Sequence, residues 1–253
     1  MILFHKEFGQ GKPLVILHGL FGFSDNWQSH AKHFATYFKV VLLDLRNHGR
    51  SKWSESHSYE EMASDVAETL DELEISKAHF IGHSMGGKVL MHLALSHPNY
   101  IDKMVVVDMG IKSYPMHHQD IISAIRSVSL KDISARSQIN EQLKDLIPQE
   151  GVRQFLLKNL FWKEKGVLEW RMNFNVLVRH MDLVLSELPS GDVLHESLFI
   201  RGQLSNYILD DDIEAIENQF LDSQVKTINN AGHWVHSEAP EEFAEITLGF
   251  LLR

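Results

Sequence analysis

The chain has 253 residues, of which 24 are Lys or Arg and 34 Asp or Glu, leaving a formal charge of −10 with histidine neutral. It contains 16 histidines and no cysteine, which excludes a disulfide framework, a thiolate metal site and a cysteine nucleophile. Hydrophobic residues at 44% and charged residues at 23% exclude disordered, collagen-like and coiled-coil chains. The acidic balance also argues against a nucleic-acid partner, which needs clustered Lys and Arg to displace counterions.

The first residues carry His5, Lys6 and Glu7 where a signal peptide needs an unbroken apolar core. No apolar run approaches the roughly 18 residues of a membrane span. A cytoplasmic protein without a membrane span is the expectation. Next come short apolar runs, each ending in a polar or glycine residue. Leu14–Leu17 ends at His18-Gly19, Val40–Leu43 at Asp44, Phe80-Ile81 at Gly82, and Met104–Val107 at Asp108. Runs without polar alternation are the mark of strands buried on both faces.

Between the runs lie helical patterns. Ser58 and Glu61 form a capping box ahead of Met62, Val66, Leu70 and Leu73, which share one face. Val89, Leu90, Leu93 and Ala94 make a second stripe that stops before Pro98. Strand–helix repetition of this kind predicts an α/β fold with a mostly parallel sheet and right-handed crossovers.

The alternation breaks after Lys112. From Tyr114 to about Leu188 the pattern is helical with no convincing strand, and strands return at Leu198–Ile200 and Val225–Ile228. A last helix opens at Pro240-Glu241-Glu242 and buries Phe243, Ile246 and Phe250. Residues 1–112 and 190–253 are therefore expected to form one core, with 113–189 a helical cap inserted between two sheet strands. The cap aromatics Phe155, Phe161, Trp162, Trp170 and Phe174 read as cap core in the main, one or two of them lining a pocket.

Gly82-His83-Ser84-Met85-Gly86 is a G-x-S-x-G motif directly after a strand and at the start of a helix. A serine on such a turn sits in strained backbone, so its neighbours must be small. The helix N-terminus aims N–H groups at a developing oxyanion. The alternative is a structural glycine turn, but the context favours a nucleophile. A serine hydroxyl needs a base, and His233, in Ala231-Gly232-His233-Trp234 between the last strand and the last helix, is the candidate. His236 reads as its packing neighbour.

With these stretches in view, the chain resembles the α/β-hydrolase superfamily, and in particular the small bacterial acyl esterases of the YbfF type and related abhydrolase-domain proteins. The similar stretches are His18-Gly19-Leu20-Phe21-Gly22, Asp44-Leu45-Arg46-Asn47-His48-Gly49, Gly82 to Lys88, Glu150-Gly151-Val152, Gln154 to Lys158, and Gly232 to His236. They run essentially from end to end, cap included.

The acid partner of His233 is less direct. Most α/β-hydrolases carry it after the strand read here as Leu198–Ile200, a short way past a glycine, but Gly202-Gln203-Leu204-Ser205 has serine there. Serine cannot stabilise an imidazolium by charge. Asp108, at the end of the Met104–Val107 run, and Asp210 within Asp210-Asp211-Asp212 remain as candidates. The resembled esterases use an aspartate after the earlier strand, which implies Asp108, with Asp210 as the fallback. The resemblance also implies an oxyanion hole from the N–H groups of Met85 and Leu20, and loop-holding roles for His18, Asp44 and Arg46.

The histidines lack ligand spacing. His79 and His83 fall on strand and turn, His117 and His118 diverge, and H-E-x-x-H is absent, so no metal is expected. The activity implied is hydrolysis of a small-molecule carboxylic ester or thioester of short to medium acyl length, without cofactor or metal. An acidic surface disfavours a polyanionic acyl carrier unless Lys88, Lys158 or Lys163 offsets it locally. Serine at 84 excludes relatives with an aspartate nucleophile. Carbon–carbon bond hydrolases and cofactor-free perhydrolases use the same triad, and a slow-turnover ligand receptor on this fold keeps it too. Monomer and dimer are both open.

Overall fold

The computed structural model describes every residue except His117, Asp132 and Ser134. Its strands are β1 (His5–Phe8), β2 (Pro13–Leu17), β3 (Lys39–Leu43), β4 (Ala78–His83), β5 (Ile101–Val107), β6 (Leu160–Glu164), β7 (Val167–Trp170), β8 (Glu196–Gly202) and β9 (Ser223–Ile228). Seven of them form one sheet in the order β1-β3-β2-β4-β5-β8-β9, and β6 and β7 pair apart from it. Every pair in the large sheet is parallel except β1 with β3. The α-helices are α1 (Gln28–Phe34), α2 (Tyr59–Glu72), α3 (Met85–Ser96), α4 (Gln119–Ser127), α5 (Arg136–Lys144), α6 (Glu150–Leu157), α7 (Phe174–Arg179), α8 (Met181–Val184), α9 (Ile213–Gln219), α10 (Val235–Glu238) and α11 (Pro240–Leu251).

The apolar runs are explained by what each strand face meets. In β2, Val15 and Leu17 join the cluster that holds Met62, Val66 and Leu70 of α2 and Val89 and Leu90 of α3. Leu14 and Ile16 point the other way, into a cluster with Ala31 and Phe34 of α1 and Phe243 and Phe250 of α11. Successive side chains on a strand face opposite sides, so a sheet sandwiched between helix layers needs apolar residues at every position. The capping box forms as expected: Glu61 N–H donates to Ser58 Oγ at 3.3 Å and Ser58 N–H to Glu61 Oε2 at 3.2 Å.

Two features depart from the expected pattern. Strand β1 has the sequence His-Lys-Glu-Phe, half exposed and without an apolar run, yet it pairs along the edge with β3. The inserted stretch is not wholly helical, since β6 and β7 form an antiparallel hairpin turning at Gly166, whose φ is +84°. Only Leu160 and Leu168 of that hairpin are buried, so its hydrophobic signal is too thin to read as strand. The stretch enters and leaves the sheet at one place: Tyr114 N–H donates to Leu185 O at 2.8 Å, and Leu188 N–H to Ile111 O at 2.7 Å.

A parallel sheet delivers the ends of its strands to one edge. Here that edge collects Gly19 after β2, Ser84 after β4, Asp108 after β5, Gly202 at the end of β8, and the loop carrying His233 after β9.

Candidate active site

Ser84 occupies the turn from β4 into α3 with φ 52° and ψ −120°, a strained backbone for a residue with a Cβ. The surrounding glycines make it possible. A Cβ on Gly82 would meet the Gly86 carbonyl at 2.5 Å, and one on Gly86 would run into the Leu17 carbonyl. Ser84 N–H is anchored on Val107 O at 3.0 Å, which aligns the turn with the end of β5.

His233 bridges to both partners. Its Nε2 lies 2.9 Å from Ser84 Oγ and its Nδ1 2.7 Å from Asp108 Oδ2. A carboxylate can only accept, so Nδ1 carries the proton and Nε2 accepts from the serine hydroxyl. Asp108 is fully buried, with φ 48°, and its N–H extends the β5–β8 pairing to Ile200 O at 2.7 Å. Its Oδ1 accepts from Gly202 N–H at 3.1 Å, and its Oδ2 also accepts the hydroxyl of Ser205. Ser205, which stands where most α/β-hydrolases carry the acid, thus donates to the carboxylate that follows β5. Asp210 is not brought to His233: it is exposed and pairs with Arg201.

The His233 loop is held from several sides. Glu238 accepts from Gly232 N–H at 2.7 Å and from Trp234 N–H at 3.1 Å, bracketing the histidine. His83 Nε2–H donates to the His233 carbonyl at 3.0 Å. The Tyr207 ring stacks on the imidazole with centroids 3.8 Å apart and planes 14° from parallel. Behind them His236 stacks on Trp27 at 4.2 Å, and its carbonyl accepts from His30 Nε2–H at 2.8 Å.

The loop after β2 is fixed by two more buried imidazoles. His18 takes Leu45 N–H on Nε2 at 2.9 Å and gives its Nδ1–H to Gly19 O at 2.8 Å. His48 Nε2 accepts Phe21 N–H at 3.2 Å. Burial disfavours the charged ring, pushing His18 down to about 4 and His48 and His83 to about 3, so each is a neutral strut. Asp44 accepts Ser24 N–H at 2.6 Å and Arg50 N–H at 2.8 Å, and Arg46 grips Asp65 through Nε at 2.6 Å and Nη2 at 3.0 Å. The loop-holding expectation for His18, Asp44 and Arg46 matches this geometry.

A small cavity of about 10 Å³ lies over Ser84, lined by Leu20, Met85, Met109, Tyr114, His118, Val184, Leu185 and Tyr207. None of the five cap aromatics expected as candidates is among them. Phe155 instead lies near Trp234 and Phe174 near Phe21, with ring centroids 6.2 and 6.3 Å apart, and Trp162 is 41% exposed. The expectation that these residues form cap core holds only in part: Phe155, Trp170 and Phe174 pack half-buried against the core. Phe161, Trp162 and Trp170 lie on the β6–β7 hairpin, where helical spacing does not tell which side chain turns inward. Among the described residues no group of three or more His, Cys, Asp or Glu is arranged to hold a metal ion. Lys88, considered above as a counter-charge, is fully buried and does not face a ligand approaching from solvent.

A family model described as alpha/beta hydrolase fold matches residues 12–133. An sn-1-specific diacylglycerol lipase ABHD11 of Danio rerio is 38% identical over 253 residues, covering 96% of this chain and 79% of its own. Esterase YbfF of Escherichia coli K12 is 38% identical over 232 residues, covering 90% and 89%. A solved structure of a marine microorganism esterase superposes with a TM-score of 0.96 at 38% identity, covering 98% of this chain and 99% of that one. The chain belongs to the α/β-hydrolase family. Carboxylic ester hydrolase is the enzyme class that fits it. Among the described residues no helix is long and apolar enough to cross a membrane.

Proposed function

We propose that the chain is a serine hydrolase that cleaves carboxylic esters or thioesters of short to medium acyl groups through an acyl-enzyme on Ser84. The observation that carries this reading is the hydrogen-bond chain from Asp108 through His233 to Ser84, opening on a mostly apolar cavity. In the first step His233 Nε2 takes the Ser84 proton as Oγ attacks the acyl carbonyl. The imidazolium formed is stabilised by the buried Asp108 carboxylate, whose position is set by Gly202 N–H and Ser205. The N–H groups of Met85 and Leu20 receive the oxyanion. Collapse of the tetrahedral intermediate breaks the bond to the leaving alcohol or thiol, which departs with the proton from His233 Nε2. Water then repeats the sequence on the acyl-enzyme, delivering its proton to His233 and releasing the carboxylic acid. No cofactor or metal takes part.

In this reading residues 1–112 and 190–253 supply the catalytic groups, and 113–189 serves as a lid. Tyr114, Val184 and Leu185 roof the cavity, bind the acyl chain and keep bulk water from the reacting atoms. A series of p-nitrophenyl esters of increasing acyl length tests the proposal. Ser84→Ala is expected to lower kcat by about 10⁵-fold or more, the scale seen when a triad nucleophile is removed. Full activity in that variant would overturn the mechanism.

A further inference from the structure

Lys88 sits one turn beyond Ser84 on α3, and its side chain is fully buried. Its three N–H donors go to three main-chain carbonyls: Ile111 at 3.1 Å, Lys112 at 2.9 Å and Ser186 at 2.7 Å. The ammonium also lies 5.6 Å from the centre of the Tyr114 ring. Burial pushes the amine down to about 7, opposed by the charge of Glu187. Removing an ammonium from water is costly, and an apolar side chain would fill the buried face of α3 without that cost. The cost is offset where one side chain must serve several carbonyls at once.

Those carbonyls have a shared location. Ile111 and Lys112 lie where the chain leaves the sheet after Asp108, and Ser186 lies where it returns. The same two strands of chain hold each other through Tyr114 N–H on Leu185 O and Leu188 N–H on Ile111 O. Tyr114, Val184 and Leu185, which flank the gripped carbonyls, line the cavity over Ser84. The helix that presents Ser84 is therefore tied, through one side chain, to the residues that wall the cavity.

We propose that Lys88 is a positioning residue that locks both hinge strands of the inserted segment to the helix carrying Ser84 and so sets the acyl-binding wall formed by Tyr114, Val184 and Leu185. The substrate side of this inference rests on the esterase reading above. The catalytic hydrogen bonds of Ser84, His233 and Asp108 do not pass through Lys88, so its loss acts on acyl groups long enough to reach the wall.

The test compares p-nitrophenyl acetate with p-nitrophenyl hexanoate on wild type and Lys88→Met, together with amide hydrogen exchange at Tyr114 and Leu188. In Lys88→Met, kcat/KM for hexanoate is expected to fall by about tenfold or more, chiefly through KM, and for acetate by less than about threefold. Tyr114 and Leu188 amides should exchange about tenfold faster, while those of Gly87 and of residue 88 itself keep their protection. Equal losses on both esters, or unchanged hinge exchange, would overturn the proposal. Should Lys88→Met fail to fold, the wild type decides. Hinge amides protected to within about tenfold of the α3 amides support the lock, and amides exchanging about a hundredfold faster contradict it. If wild type hydrolyses neither ester, the esterase reading fails and the exchange measurement alone judges Lys88.

Discussion

The sheet edge and the segment inserted between β5 and β8 both contribute to the cavity, but under different constraints. At the edge, Ser84, Asp108 and His233 sit on turns whose backbone is fixed by strand register and by Gly82, Gly86 and Gly202, where a Cβ would run into a backbone carbonyl. In the insertion, Tyr114, Val184 and Leu185 are placed by packing and by a hinge of a few hydrogen bonds. The edge is built to hold atoms within hydrogen-bond distance, and the insertion to hold an apolar surface. Substitutions at the edge should therefore act on chemistry, and those in the insertion on binding.

The largest effect should separate the two aspartates. Asp108→Asn keeps the shape but removes the charge facing the imidazolium, and kcat is expected to drop by about 10³- to 10⁴-fold. Asp210→Asn, whose carboxylate pairs with Arg201 at the surface, should stay within about twofold of wild type in the same assay. A reversal of these two results would move the acid to the later strand.

The second effect is on stability and belongs to the sheet edge. His18, His48, His57 and His83 are held by burial at about 4, 3, 3 and 3, and His236 well below its ordinary value. In the unfolded chain each titrates near pH 6.5. Above that pH neither state binds the proton, and the folded state keeps its full stability. As pH falls below about 6.5 the unfolded state takes up protons that the folded state refuses, costing roughly 1.4 kcal/mol per histidine per unit. Unfolding free energies from urea titrations should be lower at pH 5 than at pH 7 by about 10 kcal/mol for these five rings, each taking up about one proton on unfolding. A flat profile would mean that these rings are charged in the folded protein.

Glu238 offers an intermediate case, because it positions His233 without touching the reacting atoms. Glu238→Ala frees the N–H groups of Gly232 and Trp234, and kcat is expected to fall about tenfold with KM little changed. The smallest effect is predicted in the insertion. Trp162 is exposed on the hairpin, so Trp162→Ala should alter unfolding free energy by less than about 0.5 kcal/mol and leave kcat unchanged. A large loss there would show that the hairpin does more than cover the core.

The same contrast governs what could be read from the amino-acid order. Ser84 and His233 stand out as candidates because the chemistry forces glycines and chain order around them, whereas the choice of Asp108 over Asp210 follows from the resemblance to the small esterases and not from the residues alone. Ser205 was read as the absence of an acid, since nothing local says that its hydroxyl reaches a carboxylate on the next strand. Nothing local marks Tyr207, Glu238 or the cavity residues Tyr114, Val184 and Leu185, for a related reason. Periodicity reports that a side chain is buried, not which partner it meets from a hundred residues away. Strand β1 and the β6–β7 hairpin were missed because each buries too little for the alternation of burial to rise above its charged residues. At the sheet edge His18, His48 and His83 act as neutral struts that bond backbone groups of neighbouring loops.

The central claim is the covalent intermediate on Ser84. Rapid mixing with excess p-nitrophenyl butyrate, followed by acid quench and peptide mass analysis, tests it directly. The account predicts one butyryl group on the peptide that carries Ser84, formed within the burst of p-nitrophenol and absent from Ser84→Ala. Hydrolysis of the ester with the acyl group on another residue, or with undiminished turnover in Ser84→Ala, would contradict it.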